Sequence, residues 1–358
     1  MIKLLYKLFL IVILLLIALL IPCVLSPERT SIQLLRLVIL FYIFCEVVLL
    51  FINLFVNGKW KKFTNFGLIL VTFIVSFIII ESVFMFIARS HGSGYTLAGQ
   101  IWNGKYLKPF NSLGFRDKEP LKKENSIFFV GDSFTEGFGI KRRQDRFSDI
   151  FASKKTNFNC INIGKGGSDT DEELNITKKF IKKTKINPKK IILQYFGNDI
   201  DRKAMSLGLP FDGFKPYSDL SYFSKIFVKG SFFLNYFYWN LPRKDVVPYT
   251  DFVLNSYQNE LVFNKHRNDI LAFIDFCKIQ KIELIVIVFP FMEDLKISKK
   301  IYTEKIINFL NSKQIITIDV IPLVEKLSIK DRVVNNNDGH ASEIVHKLVA
   351  KELLKVIK

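Results

Sequence analysis

The chain has 358 residues, which is long enough for a membrane segment followed by one large domain or two small ones. Hydrophobic residues make up 49% of it, a high share for a protein without contact to lipid. The formal net charge is +18, but the lysines are scattered rather than clustered. This pattern argues against nucleic acid as a partner and favours a solvated surface, with attraction to an anionic membrane or envelope polymer as the alternative.

Three apolar stretches near the amino terminus, at 8–25, 37–56 and 66–88, each have about 18 residues or more, enough to cross a bilayer core. We predict that residues 1–89 form a membrane domain with about three transmembrane helices. A cleaved signal peptide is the alternative for the first stretch. Glu46 and Glu81 interrupt the second and third stretches. They either contact a membrane protein partner or an acyl-donor path, or only help the helices to pack.

The basic residues of the short loops predict the orientation of this domain. Lys3 and Lys7 precede the first stretch, and three lysines within 59–62 lie between the second and third. This distribution places the amino terminus in the cytoplasm. With three spans, we expect everything after Arg89 to lie on the extracytoplasmic side of a membrane, such as a bacterial inner membrane.

The cysteines form no Cys-x-x-Cys pair, so a zinc or redox site has no support. They are Cys23, Cys45, Cys160 and Cys277. Buried free thiols account for all four. A disulfide between Cys160 and Cys277 is the alternative for the second half of the chain.

Residues 90–125 are interpreted as a linker and lead-in, and a regular alternation of short apolar runs with amphipathic stretches follows. Predicted strands are 126–130, 160–163, 190–196, 283–289 and 315–320, and predicted helices are 143–157, 169–185, 252–280, 297–312 and 341–356. This alternation predicts an α/β domain over 126–358, in which helices cover both faces of a parallel sheet. Five strands suit a flavodoxin-like, three-layer α/β/α order, which binds ligands at the carboxyl ends of its strands.

Residues 201–251 interrupt the alternation and carry thirteen aromatic residues between 211 and 249. A long insertion at the active edge is typical of a lid or a substrate wall. Its aromatic rings could stack on sugars or enter the membrane surface. The alternative is a small satellite core packed on the sheet.

The run 131–137, Gly-Asp-Ser-Phe-Thr-Glu-Gly, follows the first predicted strand and enters a helix. This position exposes the hydroxyl of Ser133 at the carboxyl edge of the sheet, where amides at a helix start face incoming negative charge. The alternative is a helix capping box, with Ser133 as the cap and Glu136 at the third helical position.

Two more polar segments follow the second and third predicted strands. The glycine-rich run 162–170 lets the backbone approach a ligand and present its amides. In the Gly-Asn-Asp run 197–199, the side-chain amide of Asn198 can donate to an oxyanion. The structural alternatives are a strand-to-helix turn capped by Ser168 or Asp169, and an Asn-Asp turn.

The run 337–342 follows the fifth predicted strand and opens the last predicted helix. Its His340 is a candidate general base, oriented by the carboxylate of Asp338. The alternative makes Asp338 a helix cap and His340 a first-turn residue. The other histidines, His91, His266 and His346, lie in the linker or at helical spacing and are interpreted as surface or packing residues.

Taken together and in chain order, these four blocks resemble the SGNH hydrolases, also called the GDSL family. The four residues for which that family is named correspond to Ser133, Gly167, Asn198 and His340, with Gly166 as the neighbouring choice for the second. The run 111–117, Asn-Ser-Leu-Gly-Phe-Arg-Asp, resembles the lead-in of membrane-anchored bacterial members. The resemblance therefore covers residues 110 to 356.

The chain departs from the family in its last block. The family most often has Asp-x-x-His followed by Pro, whereas residues 338–341 here read Asp-Gly-His-Ala. This shorter spacing leaves the role of Asp338 less well defined than that of His340.

The resemblance implies acyl transfer through a covalent enzyme, without a metal or organic cofactor. His340 takes the proton of Ser133, Asp338 orients the imidazole, and an oxyanion hole is formed by the Ser133 and Gly167 amides with the Asn198 side chain. The leading hypothesis is a membrane-anchored esterase that removes O-acyl groups, acetyl above all, from an envelope glycan or lipid. The alternatives are an O-acyltransferase with the same triad and a catalytically silent membrane scaffold or glycan-binding protein.

Overall fold

The computed structural model describes residues 59–86, 90–209, 217, 219–240 and 249–357, except 93, 95, 122 and 123, together with positions 43–44 and 47–48. The chain divides into two compact units, Met1–Ala88 with Asp219–Leu241 and Arg89–Ser218 with Pro242–Lys358. The predicted spans at 8–25 and 37–56 lie outside the described residues, apart from four positions of the second. Glu46, Cys23 and Cys45 lie outside them as well.

The larger unit is built on a five-stranded parallel sheet with the order β2-β1-β3-β4-β5. Its strands are β1 (Ser126–Val130), β2 (Asn159–Asn162), β3 (Pro188–Tyr195), β4 (Glu283–Val288) and β5 (Ile316–Asp319). The predicted parallel sheet and its flavodoxin-like order are confirmed. Each predicted strand matches an observed strand to within two residues at either end.

The central strands are apolar along most of their length because the sheet is covered on both faces. Neighbouring side chains of a strand point to opposite faces. Accordingly, Phe128 and Ile191 belong to one buried cluster, and Phe129 and Ile192 belong to the other. Two cores of this kind define three layers, with the sheet in the middle.

The helices follow the strands in alternation. In chain order they are α1 (Lys59–Phe86), α2 (Leu97–Trp102), α3 (Ser133–Glu136), α4 (Phe147–Lys154), α5 (Thr170–Thr184), α6 (Asp201–Ser206), α7 (Tyr222–Gly230), α8 (Phe232–Asn240), α9 (Tyr249–Gln258), α10 (Glu260–Ile279), α11 (Leu295–Ser298), α12 (Glu304–Ser312), α13 (Ile321–Val324), α14 (Ile329–Arg332) and α15 (Glu343–Val356). Helices α4 and α15 pack together over one core, and α5 and α10 pack together over the other.

Two predicted helices are divided in the structure. The predicted helix 252–280 consists of α9 and α10, because Asn259 accepts the amide hydrogen of Val262 and starts a new helix. The predicted helix 297–312 contains the end of α11, a π-helical turn (Lys299–Thr303) and α12.

The prediction that the run 337–342 opens the last helix was wrong except for Ser342. Strand β7 (Asp338–Ala341) instead pairs antiparallel with β6 (Val333–Asn335), and α15 starts only after its N-cap Ser342. The turn between the two strands is rich in asparagine, and the Asn335 side chain accepts the amide hydrogen of Asn337. Such side-chain bonds favour a turn over a helix.

The smaller unit contains α1, α7 and α8 among the described residues. Helix α8 packs on both of the others, and the ring of Phe84 on α1 lies 5.2 Å from that of Phe233 on α8. No helix in the described part of the chain has the length and apolar run that crossing a membrane requires.

The two described cysteines are both free thiols. Cys160 lies on β2 and Cys277 is buried on α10. The alternative of a disulfide between them was therefore wrong, and burial raises the pKa of each thiol to about 12.

Candidate active site

Ser133 is the first residue of α3, directly beyond the carboxyl end of β1. The carboxylate of Asp132 caps this helix by accepting the amide hydrogen of Phe134 at 2.8 Å. The capping-box interpretation, with Ser133 as the cap, was therefore wrong, and its hydroxyl is left for another partner. Gly131 makes the turn possible, because a Cβ at this position would lie only 2.4 Å from Thr135 Oγ1.

His340 connects Ser133 to Asp338. Its Nε2 lies 2.8 Å from Ser133 Oγ, and its Nδ1 lies 2.5 Å from Asp338 Oδ1. Because the buried carboxylate accepts the Nδ1 hydrogen, Nε2 is left to accept the hydroxyl hydrogen of Ser133. The three side chains therefore form one chain of hydrogen bonds.

The hairpin of β6 and β7 explains the short Asp-Gly-His spacing. Asp338 and His340 are two residues apart on β7, so their side chains leave the strand on the same side. The spacing that set this block apart from the family pattern is thus compatible with an Asp–His contact.

The contact between His340 and Asp338 shifts the pKa of both side chains. Burial favours a lower pKa for His340, but the charge of Asp338 and its hydrogen bond raise that pKa above the ordinary value. Burial favours a higher pKa for Asp338, but His340 and the Ser90 hydroxyl lower it. The arrangement therefore stabilises an imidazolium beside an ionised carboxylate.

Asn198 and Gly167 lie near the serine on the turns after β3 and β2. Asn198 donates one Nδ2 hydrogen to Asp132 Oδ2 at 2.9 Å, which leaves its second amide hydrogen for a ligand. Within the described part of the chain, the amides of Ser133 and Gly167 donate to no other group. The Gly166 amide is instead engaged by the Glu136 carboxylate, which favours Gly167 as the donor toward a ligand.

One cavity of about 580 Å³ is lined by Ser133, Gly167, Asn198 and His340. The structure thus brings four of the predicted site residues to one opening, with Asp338 behind His340. A second cavity of about 220 Å³ shares His340 and is otherwise largely aromatic or apolar, lined among others by Phe134, Phe196, Tyr249, Phe291 and Met292.

Arg116 had no predicted role, although it lies in the run 111–117 that resembles the lead-in of membrane-anchored members of the family. Its buried guanidinium donates to the carbonyl oxygens of Gly137 at 2.5 Å, Ile140 at 2.6 Å and Tyr106 at 2.9 Å. The fully buried Arg146 donates in turn to the Arg116 carbonyl at 2.8 Å. Burial, together with the charge of Arg146, lowers the pKa of Arg116 to about 10. Two arginines therefore hold the turn that follows the nucleophile.

Sequence reasoning also missed Tyr249, which it counted only as one aromatic of the insertion. Tyr249 lines both cavities, and its hydroxyl donates to Asp201 at 2.8 Å. Burial raises the pKa of Asp201 to about 7. No short motif surrounds Tyr249, so only the fold reveals its position at the two cavities.

Comparison with known proteins gives similarities of structure alone. No protein-family model matches the sequence, and no curated protein matches it either. A member of the lipolytic protein G-D-S-L family from Veillonella parvula is 15% identical and covers 65% of this chain and 97% of its own, with a TM-score of 0.38. The esterase EstA from Pseudoalteromonas is 12% identical, with coverages of 65% and 97% and a TM-score of 0.39.

A third similar structure is Axe2, an acetylxylan esterase from Geobacillus stearothermophilus. It is 11% identical and covers 66% of this chain and 95% of its own, with a TM-score of 0.40. These three solved structures are described as one G-D-S-L lipolytic protein and two esterases. At these identities and TM-scores they assign it no substrate, and its chemistry has to be derived from its own residues.

Proposed function

We propose that the chain is a carboxylic ester hydrolase of the SGNH type, which works through a covalent acyl-enzyme. The observation that carries this proposal is the hydrogen-bonded chain from Ser133 through His340 to the buried Asp338. A nucleophile, a base within reach of it and a group that orients the base are the features of nucleophilic catalysis.

In the first half of the reaction, Nε2 of His340 takes the hydroxyl proton while Ser133 Oγ attacks the ester carbonyl. Asp338 stabilises the imidazolium that forms. The amides of Ser133 and Gly167 and the free Asn198 hydrogen stabilise the oxyanion, and one such donor typically contributes about 2.7–4 kcal/mol. His340 then protonates the departing alcohol, which leaves the acyl group on Ser133.

In the second half, water replaces the alcohol. His340 takes a proton from the water, whose oxygen attacks the acyl carbonyl. The tetrahedral species collapses, the acid leaves and Ser133 recovers its proton. An alcohol in place of water would make the protein an O-acyltransferase, so the triad alone is compatible with both reactions.

As the substrate, we propose an O-acyl ester, acetyl above all, on an envelope glycan or lipid. The cavity of about 580 Å³ supports this because it has room for more than a small ester. Phe138, Phe196 and Tyr249 line it, and aromatic rings suit the apolar face of a sugar.

We further propose that residues 1–89 anchor the protein in a membrane, with residues after Arg89 on the extracytoplasmic side. The apolar stretches of the sequence and the lysines between them support this placement. A cysteine substituted for the exposed Lys189, in a chain without native cysteines, tests it. Protection of this cysteine from an impermeant thiol reagent in intact cells or spheroplasts would contradict the proposed topology.

Labelling with a fluorophosphonate probe tests the hydrolase proposal. We expect the wild-type chain to be labelled and to cleave small aryl acetates, and Ser133→Ala to lose both properties while remaining folded. Ser153→Ala, which changes an exposed serine on α4, is the matched control. Normal labelling or turnover of Ser133→Ala would refute the assignment.

A further inference from the structure

We propose that one face of α7 docks onto an anionic lipid surface. This face consists of Tyr222, Phe223, Ile226 and Phe227, whose side chains are 75%, 72%, 53% and 64% exposed. Positions spaced by one, four and five residues lie on one side of a helix. Four large apolar side chains on one exposed face form a patch of the kind that marks an interaction site.

The charges on α7 favour lipid as the occupant. Lys225 and Lys229 lie one turn apart along one edge of the apolar face, and the helix contains no acidic residue. A lysine has a flexible apolar stem, so it can place its ammonium at the phosphate level while the neighbouring rings enter the acyl boundary. Aromatic residues on one face and lysines at its edge are the pattern of helices that lie in the membrane interface.

The position of α7 is fixed through α8. Asn235 of α8 donates to the Val228 carbonyl of α7 at 3.1 Å. The carboxylate of Glu81 on α1 accepts hydrogen bonds from the Ser231 hydroxyl and, at 2.6 Å, from the Phe232 amide. Glu81 therefore caps α8. Of the two interpretations of this acid, helix packing is the one its contacts support.

Helix α1 of the same unit also exposes apolar side chains. Ile69, Phe73 and Phe77 follow one another at intervals of four residues and are 59%, 74% and 49% exposed. The hydrogen bonds of Glu81 thus join α7, through α8, to a helix that already presents apolar side chains outward. Exposed apolar side chains on both helices are compatible with a lipid surface, since lipid can cover more than one helix of the unit.

Lipid docking of α7 rests on the proposed membrane anchoring of residues 1–89 and is independent of the ester chemistry. A test uses the full chain with its four native cysteines replaced by alanine and single cysteines introduced in turn at positions 221–229. Each variant is labelled with an environment-sensitive fluorophore and reconstituted into vesicles of phosphatidylcholine, with or without phosphatidylglycerol. Quenching by lipids that carry a nitroxide near the headgroup reports on contact with the bilayer.

We expect quenching to follow the helical period, with maxima at 222, 223, 226 and 227 that exceed the value at Val228 several-fold. The double variant Lys225→Glu/Lys229→Glu, combined with the label at 223, should lose much of this quenching in vesicles with phosphatidylglycerol. In phosphatidylcholine alone it should change little. Cleavage of an aryl acetate by the same samples should be unaffected by the two lysine changes.

Two results would overturn the inference while leaving the other proposals standing. One is quenching that stays low at every position from 221 to 229, although the chain resists alkaline extraction and is therefore inserted in the vesicles. The other is a blue-shifted fluorophore without quenching by lipid, which would show that protein covers this face. Failure of the whole chain to associate with vesicles would remove the anchoring proposal and this inference together, whereas ester cleavage is measured separately.

Discussion

The guanidinium of Arg116 donates to the carbonyl oxygen of Gly137 at 2.5 Å, just beyond the helix that starts with the nucleophile. Gly137 has a φ of +77°, so the chain reverses here, and a Cβ would lie 2.3 Å from the side chain of Arg146. The next residue, Phe138, places its ring centroid 4.8 Å from that of His340. Arg116 thus fixes a turn that contacts the proposed base, and we regard it as a positioning residue.

We predict that Arg116→Ala lowers both stability and turnover. It leaves the carbonyl oxygen of the buried Ile140 without this donor, at a cost of about 1–3 kcal/mol for such a group, whereas the Gly137 carbonyl still accepts the Ile140 amide hydrogen. A shift of the turn by about 1 Å would lower kcat by about 10²-fold. KM for a small aryl acetate should change little, because Arg116 does not line the cavity. Urea unfolding of the detergent-solubilised chain and steady-state kinetics measure these effects.

The control for this prediction is Lys355→Ala, since the side chain of Lys355 is 62% exposed and its partner Glu352 on α15 is partly exposed as well. Such a pair contributes about 0–1 kcal/mol. Arg116→Lys should retain the charge but not the bonds to several carbonyls, and its kcat should lie between those of the wild type and the alanine variant. Loss of stability without any change in kcat would make Arg116 a purely structural residue.

We predict that Ser133→Ala and His340→Ala each lower kcat by roughly 10⁶-fold, and that the double variant is little worse than either. The reason is that the two side chains act as one unit through their 2.8 Å contact. Asp338→Asn should be milder, at about 10⁴-fold, because it affects the reaction through His340. Single-turnover assays with an aryl acetate measure these losses. Multiplicative losses in the double variant would show that the two residues act independently.

We predict that kcat/KM rises with pH as His340 loses its proton. Because Asp338 raises the pKa of His340, the midpoint should lie above the ordinary histidine value of about 6.5. The protonated form cannot accept the Ser133 proton, so activity is lost as pH falls through this midpoint. Asp338→Asn removes the negative charge and should move the midpoint down. An unchanged midpoint in this variant would mean that another group controls the profile.

Asn198 offers a test of the oxyanion hole. Removing one donor of this kind costs about 10²–10³-fold in kcat, so we expect Asn198→Ala to fall in this range with little change in KM. The variant also removes the bond to Asp132, and fluorophosphonate labelling therefore serves as a check that the serine remains in place. Asn198→Asp keeps the shape but adds a negative charge, and it should be at least as slow. Activity close to that of the wild type in both variants would exclude Asn198 from the hole.

The five-strand order and the positions of Ser133, Gly167 and Asn198 on the turns after β1, β2 and β3 could be predicted because each follows from local pattern, whereas His340 was expected at a helix start and lies on β7. Apolar runs determine buried strands, and polar residues after parallel strands meet at one edge. The β6–β7 hairpin could not be predicted in this way, since its residues are mostly polar and its strands have only three or four residues. The role of Arg116 also escaped prediction, because its partners are carbonyl oxygens more than twenty residues away or in a π-helical turn. Any residue can supply a backbone carbonyl oxygen, so contacts of this kind leave no recognisable pattern of residue types in the sequence.

The last prediction concerns substrate size and depends on Tyr249, whose ring lines both cavities while its hydroxyl is held by Asp201. We expect Tyr249→Ala to raise KM for an acetylated oligosaccharide by about tenfold, equivalent to about 1.4 kcal/mol of lost binding, and to change KM for a small aryl acetate little. We expect a small ester to reach Ser133 without contacting Tyr249, and a longer sugar chain to extend along its ring. Tyr249→Phe retains the ring but leaves the carboxyl of Asp201 without its donor, so it separates stacking from the buried hydrogen bond. Steady-state kinetics of the three proteins on both substrates provide the test. Equal losses on the two substrates would show that Tyr249 supports the fold of the site and does not select the substrate.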